Sequence, residues 1–401
     1  MTQLKLWLCA GSAAAGLACA TAAFADDQAA PAAAAAPAAP APTPMANPAV
    51  AGPLNANPSP AVFDAGPVIG KITVDGVVSG LALIQNSPAN DAFGKENNRA
   101  YGDISNGQVI INKSDGVVQF YFQAGVYSVP VVAEPYYKAS KYDSETFGYI
   151  PQGFLKLVPN AAFSVEIGAL PTLIGDEYTY TFENYNIERG LLWNQEPAVS
   201  KGVQLNYTKG SWAFSFAVTD GYDSGAYTAI SGLATYTFKN SDTLAFAAEG
   251  NASQPKVNTF TTPAQQNDGM IYNLIYTHTQ GPLTISPYVQ YGNSQYIPGV
   301  SAGGNTEGVA LLTKYQFTPA ISLAGRLEYI GSSGAANLLG YGDNSNAVTL
   351  TLTPTYQKGI FFARGEFSFA SIGNGTAGDM LGGNGRQGDQ FRGVFETGLM
   401  F

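Results

Sequence analysis

The chain has 401 residues, a formal net charge of −10 at pH 7 and a mean hydropathy near zero. Only 12% of its residues are charged, whereas a typical soluble domain has about 25%, and the acidic balance argues against nucleic acid as a partner. A chain that is poor in charge without being strongly apolar suits a wall that faces lipid on one side and water on the other.

Residues 1–25 have the features of a signal peptide. Lys5 supplies the positive charge, residues 6–19 are apolar, and the sequence at 23–25 is Ala-Phe-Ala, a small-x-small cleavage pattern. Both cysteines lie in this segment, so the mature chain is expected to form no disulfide. It keeps 18 basic and 29 acidic residues, a net charge of −11. No other stretch approaches 18 consecutive apolar residues, so no transmembrane helix is predicted.

Residues 26–69 are predicted to be a periplasmic tether. From residue 28 to about residue 62 the sequence is rich in alanine and proline. Proline fixes φ and removes a hydrogen-bond donor, so such a segment favours an extended, unpacked chain. We expect residues 26–62 to be disordered, either as a passive linker or as a spacer that touches the cell wall.

From Lys71 onwards, short segments with alternating apolar and polar residues recur. In residues 360–370, for example, phenylalanines occupy one face of an extended chain, and Arg364 and Glu366 lie on the other. The pattern predicts sixteen strands, with fourteen left open because the first three are the weakest. The predicted strands are 70–84, 107–113, 117–127, 148–158, 161–169, 200–208, 211–219, 229–238, 243–250, 270–279, 283–292, 306–317, 320–330, 346–357, 360–371 and 389–401.

The predicted connections alternate between short turns and long polar loops. Outer-membrane barrels show this asymmetry because their periplasmic turns are short and their external loops are long. The barrel must also close, because an open edge in lipid would leave backbone N–H and C=O groups unsatisfied. The sequence therefore predicts an all-β fold, a closed antiparallel up-and-down transmembrane β-barrel over 70–401. We expect it in the outer membrane of a Gram-negative bacterium, with both chain ends in the periplasm.

The third external loop, predicted at 170–199, is the longest and is strongly acidic. General porins fold their third loop into the lumen, where several acids would attract cations and repel anions. The alternative is a solvated surface loop. The candidate constriction residues are the five acids and the single base of this loop: Asp176, Glu177, Glu183, Glu188, Arg189 and Glu196.

Twelve charged residues of the predicted strands fall on the inward face, six of each sign. Three arginines could form a basic ladder facing the acidic loop, or they could pair with neighbouring wall glutamates. Both arrangements remain open at this stage. The inward charges are Lys71, Asp75, Lys156, Glu166, Glu249, Lys314, Arg326, Glu328, Arg364, Glu366, Arg392 and Glu396. The last seven from Lys314 onwards are the candidate pore-wall residues.

The C-terminal sequence FRGVFETGLMF places Phe391, Phe395, Leu399 and Phe401 on one face of a strand, with phenylalanine last. This ending resembles the signal that the barrel assembly machinery reads. Phe395, Leu399 and Phe401 are therefore the candidate assembly residues, and this machinery is an expected partner.

Residues 175–222 resemble the OmpL-like β-barrel porin family. The matching motifs are Asn186-Ile187-Glu188-Arg189, Glu196-Pro197, Gly202-Val203 and Asp220-Gly221-Tyr222. The chain departs from the family at Gly190, where a serine often follows the arginine, and at Ser200-Lys201, where a His-Thr pair is usual. The resemblance implies a porin-like barrel over most of 70–401.

These features predict a porin that passes small hydrophilic solutes by passive diffusion, with weak cation selectivity. The expected surroundings are outer-membrane lipid and lipopolysaccharide, and family analogy suggests a homotrimer. A non-conducting anchor or adhesin barrel is the alternative. An enzyme is not expected, because the single histidine, His278, lies on the outer face near a short turn. No cofactor, metal site or nucleic-acid partner is expected.

Overall fold

The computed structural model describes residues 54–91 and 94–401, which form seventeen strands and three short helices. The helices are α1 Gly66–Ile69, α2 Ala139–Glu145 and α3 Ala264–Asn267. The strands are β1 Ala61–Asp64, β2 Lys71–Gln85, β3 Ala100–Lys113, β4 Val118–Tyr127, β5 Gln152–Asn160, β6 Phe163–Pro171, β7 Val199–Lys209, β8 Trp212–Thr219, β9 Ala229–Thr237, β10 Thr243–Asn251, β11 Met270–Gln280, β12 Leu283–Ser294, β13 Gly304–Thr318, β14 Ile321–Gly334, β15 Asn346–Lys358, β16 Phe361–Gly373 and β17 Asp389–Met400.

Strands β2 to β17 form a closed antiparallel barrel of sixteen strands. Each pairs with the next along the chain, and β17 returns to pair with β2, from Arg392 opposite Gln85 to Met400 opposite Val77. Closure leaves no strand edge unpaired between β2 and β17, as the bilayer requires. The prediction of a sixteen-stranded barrel is confirmed.

The two faces of the wall differ as the alternation predicts. Outward side chains such as Phe216, Leu274 and Phe367 are exposed, whereas inward polar side chains such as Thr351 and Gln290 are buried. Aromatic rings gather beside the short turns, where Trp212 packs against Tyr236, Tyr315 against Phe317 and Tyr356 against Phe361. Such rings form the interfacial girdle of outer-membrane barrels. Among the described residues, no helix is long and apolar enough to cross a bilayer.

The predicted alternation of connections is also confirmed. Short turns join β3 to β4, β5 to β6 and every second pair after that, and the loops between them are longer. His278 lies at the short-turn end, where its Nδ1 atom is 2.8 Å from a carboxylate oxygen of Asp242 in the turn 238–242. This histidine therefore braces a short turn.

The structure differs from the predicted strand limits at β3 and β5. Strand β3 begins at Ala100, whereas the sequence predicts its start at 107. The register with β2 shifts between Ser79 and Gly80, and this leaves Ser105 as an extra residue in β3. A bulge of this kind breaks the period-two pattern that reveals a strand. Strand β5 begins at Gln152 rather than at 148, directly after Pro151, which has no N–H to donate.

The folded part also begins earlier than the predicted boundary at residue 70. Strand β1 pairs with β2 from Ala61 opposite Val74 to Asp64 opposite Lys71, just beyond the point where β17 ends. Leu54 is fully buried. Residues 54–69 are therefore part of the fold and not of a disordered tether, because they have apolar and hydrogen-bonding partners. The predicted signal peptide and the tether up to residue 53 lie outside the described residues.

The C-terminal residue closes the barrel. Phe401 and Gly76 exchange two backbone hydrogen bonds, of 2.6 and 2.9 Å, and the Phe401 ring lies over the glycine. A Cβ atom at position 76 would come within 2.6 Å of that ring. The outward side chains of Phe395, Leu399 and Phe401 are exposed, as expected of lipid-facing residues.

Candidate functional site

The loop between β6 and β7, residues 172–198, lies inside the barrel. Nearly all of its residues are buried, and it contains two short 3-10 helices, Thr181–Glu183 and Trp193–Gln195. We call it the lumen loop. Its position agrees with the predicted inward fold of the third external loop and excludes a solvated surface loop in this structure.

One side of the lumen loop is apolar and packs against small wall residues. Leu173, Ile174, Leu191 and Leu192 belong to one buried cluster with inward residues of the wall. Many of these wall residues are alanines, which leave room for the loop. They include Ala217, Ala245, Ala247, Ala310, Ala347 and Ala370.

The other side of the loop is held by arginines of the wall. Arg326 lies 2.6 Å from Glu177, and Arg392 lies 2.6 Å from Glu188. All four side chains are at most 2% exposed. Breaking a buried ion pair by removing one partner typically costs about 3–5 kcal/mol, because the other charge stays desolvated. These two pairs therefore fix the loop to β14 and β17.

Both arrangements left open by the sequence occur together. Arg364 does not pair with a loop acid but with Glu396 of the neighbouring strand, with 3.0 Å between Nε and Oε2. It also donates to the backbone oxygens of Thr181 and Asn184 in the loop, at 2.7 and 3.0 Å. Arg326 bridges the two arrangements, because it contacts Glu328 of the wall at 3.1 Å as well as the loop.

The wall glutamates bind the backbone of the lumen loop. Glu328 accepts hydrogen bonds from the N–H groups of Leu191 and Leu192, at 3.1 and 3.2 Å. Glu366 accepts from the N–H of Glu188 at 2.8 Å and also from that of Ile187. The sequence did not predict this role, because a backbone N–H leaves no trace in the pattern of side chains.

Arg189, the single base of the loop, organises the loop itself. Its guanidinium donates to the backbone oxygens of Asn186 and Ile187 at 2.7 Å each, and to those of Tyr178 and Thr179 at 3.2 and 3.3 Å. The side chain is fully buried. It therefore ties the two halves of the loop together and does not face a free passage.

Gly190 is the position where the family often has serine, and here the wall requires glycine. Its N–H donates to Glu177 at 2.9 Å. A Cβ atom would lie 2.7 Å from the Glu177 carboxylate and closer still to that of Glu328. The missing side chain thus makes room for two carboxylates that hold the loop.

The five acids of the loop are not equivalent in their surroundings. Glu177 and Glu188 are neutralised by wall arginines. Burial raises the pKa of Asp176 to about 7 and that of Glu183 to about 8, and it holds the pKa of Glu196 well above its usual range. Ion pairing and burial therefore both oppose the full negative charge that the composition of the loop indicates.

A seam of polar atoms runs between the loop and the wall at β10 to β12. Ser286 contacts Asp176, and Gln290 donates to the backbone oxygen of Leu192 at 3.1 Å. Tyr288 lies between these two on the inward face of β12, and its hydroxyl has no protein partner among the described residues. Other buried atoms without such a partner in the described chain are both carboxylate oxygens of Glu196, Oε1 of Glu249 and Oδ1 of Asn273.

Unpaired polar atoms of this kind are costly unless water reaches them. Leaving a buried donor or acceptor dry and unpaired costs about 1–3 kcal/mol for each group. Water molecules satisfy such groups where the site is polar and roomy enough. The seam continues on the short-turn side to Thr277, Thr279 and Thr284, which are at least partly exposed on the same inward face.

The remaining predicted wall residue, Lys314, lies on the inward face of β13 and is partly exposed toward the short-turn end. The structure does not bring it into the arginine group of β14 to β17.

Sequence reasoning also missed the second external loop, residues 128–151. Its backbone oxygens at Val131 and Glu134 accept hydrogen bonds from Arg392, at 2.7 and 2.8 Å.

Three solved structures show the same fold. They are a trimer form of in-vitro-folded OmpT, an outer membrane protein of Vibrio cholerae, an anion-selective porin from Comamonas acidovorans, and the outer membrane channel DcaP of Acinetobacter baumannii. Their TM-scores are 0.53, 0.54 and 0.55, and their identities are 11%, 12% and 10%. Each match covers 82% of this chain and 99%, 99% and 97% of the respective neighbour. At such low identity the likeness concerns the fold alone.

No curated protein matches the chain. A family model does, and its description is "Putative beta-barrel porin-2, OmpL-like". The match extends over residues 71–401, from the first residue of β2 to the C-terminus. The family and the fold both point to a channel rather than an enzyme. The chain therefore belongs to the OmpL-like β-barrel porin family, as the motifs of residues 175–222 indicate.

Proposed function

We propose that the protein is an outer-membrane porin that passes small polar solutes and ions by passive diffusion. The observation that carries this proposal is the polar seam between the lumen loop and the wall, with its unpaired polar atoms at Glu196, Tyr288, Glu249 and Asn273, which we expect to be hydrated. A barrel interior that served only to be filled would favour apolar contacts on all sides of the loop. Membership of a porin family supports the same function.

The passage along the seam is narrow. The arginine side of the loop is closed by ion pairs, and the apolar side is packed against alanines. The strip along β10 to β12 combines polar side chains with unpaired atoms on the loop, at Glu196, and on the wall, at Tyr288, Glu249 and Asn273. We therefore expect small solutes, such as ions and small neutral sugars, and low conductance.

Weak cation selectivity is proposed for a smaller set of acids than the sequence indicated. Asp176 and Glu196 of the loop and Glu249 of the wall face the seam and take part in no ion pair among the described residues. Asp176 is expected to carry part of its charge at neutral pH, because its pKa is raised only to about 7, whereas burial keeps Glu196 mainly protonated. One fixed charge in a narrow section biases passage, because unit charges at about 4 Å interact by about 4 kcal/mol at an effective dielectric of 20. The bias should fall as salt rises, since the Debye length shrinks.

Swelling of proteoliposomes in isotonic solutions of solutes of graded size tests the solute class. We expect swelling with the smallest neutral solutes and none with disaccharides. Equal rates for all sizes would contradict a narrow seam. Empty liposomes and liposomes with heat-unfolded protein are the controls.

A non-conducting anchor barrel is the second candidate, and one observation favours it. The inward side chains in the middle of the wall, including Thr349, Thr353 and Arg364, are fully buried under the loop. Under this alternative the lumen loop would be a permanent filling. No swelling with any solute, from protein shown to be folded, would favour the anchor.

We also propose the cellular location, the assembly partner and the oligomeric state of the barrel. The exposed apolar outer face and its aromatic belt fit outer-membrane lipid and lipopolysaccharide in a Gram-negative bacterium, and the C-terminal phenylalanine fits recognition by the barrel assembly machinery. A homotrimer is proposed by analogy with the trimer form of OmpT from Vibrio cholerae. Cross-linking in native outer membranes would test the trimer, and a band of single-chain mass alone would contradict it.

A further inference from the structure

A short N-terminal segment, residues 54–57, occupies the periplasmic end of the lumen. Leu54 is fully buried, although it precedes the barrel and lies within the Ala/Pro-rich stretch. It belongs to a buried cluster that includes Val77 and Phe362 of the wall. The same cluster includes Phe182 of the lumen loop.

A wall side chain binds the backbone of this segment. The side-chain amide of Gln357 accepts a hydrogen bond from the N–H of Asn55 at 2.7 Å and donates one to its carbonyl oxygen at 2.8 Å. Gln357 lies on the inward face of β15, one residue before the strand ends at Lys358 and the short turn 359–360 follows. This pair of hydrogen bonds resembles those between neighbouring strands. Because it uses only the backbone of residue 55, it does not depend on the side chain at that position.

The lumen loop and the segment meet at a small cavity. Its lining includes Ala56 and Asn57 of the segment, Val77 and Ile110 of the wall, and Phe182 of the lumen loop. The segment therefore lies beneath the lumen loop, on the periplasmic side. Strand β1 then fixes the chain to the rim by pairing with the first residues of β2.

We propose that the periplasmic end of the lumen is a binding site for residues 54–57 of the same chain, and that this segment is a tethered stopper beneath the lumen loop. The site recognises one apolar side chain, Leu54, and the backbone of the residue after it. Release of the stopper would open the lumen toward the periplasm without breaking any barrel strand. Its effect on transport rests on the proposed porin function, whereas the docking itself does not.

Cysteine chemistry tests the docking without any need for conduction. Both native cysteines lie in the predicted signal peptide, so the mature chain offers a background free of thiols. Thr355 lies on the same inward face as Gln357, one step deeper, and is buried. In folded full-length protein, Thr355→Cys should react slowly with a small charged thiol reagent, and adding Leu54→Asp should raise the rate at least tenfold.

The matched control is Thr355→Cys with Val68→Asp, since Val68 is 94% exposed and outside the lumen. It should leave the rate unchanged. Rates within twofold for the Leu54→Asp and control proteins would overturn the proposal. Both must first show the heat-modifiable mobility of a folded barrel.

A second pair of variants keeps the test decisive if Leu54→Asp does not fold. Asn55→Cys with Gln357→Cys should cross-link readily with a short bifunctional maleimide, whereas Asn55→Cys with Lys358→Cys should not, because Lys358 points to the outer face. Equal cross-linking, or none in either, would overturn the docking. Conductance of the cross-linked and uncross-linked forms then reports separately on transport: no conductance in either form counts against the porin proposal and leaves a positive docking result standing.

Discussion

The guanidinium of Arg392 and the carboxylate of Glu188 lie 2.6 Å apart, and both side chains are almost completely buried. This contact joins the last strand of the barrel to the loop inside it. Glu188 also accepts a hydrogen bond from Ser368 at 2.7 Å. The loop is thus fixed by specific polar contacts on one side and by apolar packing on the other, so single substitutions should shift it without unfolding the barrel.

Glu188→Gln should loosen the lumen loop. The change leaves Arg392 buried without its countercharge, at a cost of about 3–5 kcal/mol, and displacing the loop would let water reach the arginine. We expect a several-fold rise in mean single-channel conductance and more current noise. Glu145→Gln, on an exposed part of the second external loop, is the control. Unchanged currents in Glu188→Gln would mean that the pair does not hold the loop.

Gly190→Ala should displace the loop by collision. A methyl group there would meet the carboxylates of Glu177 and Glu328, and overpacking of this kind typically costs about 1–3 kcal/mol. The readout is trypsin cleavage after Arg189, followed by mass spectrometry. We expect protection in the wild type, where Arg189 is fully buried, and cleavage in the variant. Gly365→Ala, which meets no atom within 4 Å, should remain protected; cleavage in it as well would remove the case for a steric cause.

Cation preference should rise with pH. Burial raises the pKa of Asp176, which faces the seam, to about 7, so this carboxyl is mainly neutral at pH 5.5 and mainly charged at pH 8.5. Reversal potentials across a KCl gradient should therefore shift toward the cation value between these two pH values. Asp176→Asn should reduce the shift. A reversal potential that does not change with pH would show that Asp176 is remote from the passage.

Loss of Phe401 should impair assembly rather than transport. Its ring lies over Gly76 and its backbone completes the closing ladder. Deletion of Phe401 should cut the amount of folded, heat-modifiable protein in the outer membrane, whereas Phe401→Tyr, which keeps the ring, should assemble normally. Equal amounts of folded protein after deletion would refute a C-terminal signal.

The barrel could be read from the sequence because alternation repeats in every strand and charge is excluded from the lipid face. That rule placed Arg326, Arg364 and Arg392 inside, where the structure has them. It failed at the bulge beside Ser105, where the period breaks.

The contacts of the site could not be predicted in the same way. Alternation gives the side of the wall on which a residue lies, but it does not say that Arg326 meets Glu177 while Arg364 keeps its strand neighbour. Those choices depend on the path of the lumen loop in three dimensions. The burial of Leu54 could not be predicted for a related reason, because one larger apolar residue within an Ala/Pro-rich stretch has no periodic neighbours.

Single-channel conductance in a planar bilayer tests the central claim most directly. The protein should be compared with a variant in which a short Gly/Ser linker replaces residues 176–194, the part of the lumen loop that contacts the wall arginines. The account predicts small, weakly cation-selective steps for the wild type, and steps that are several-fold larger and less selective for the variant. No steps from folded wild type together with none from the variant would contradict it and identify the barrel as an anchor.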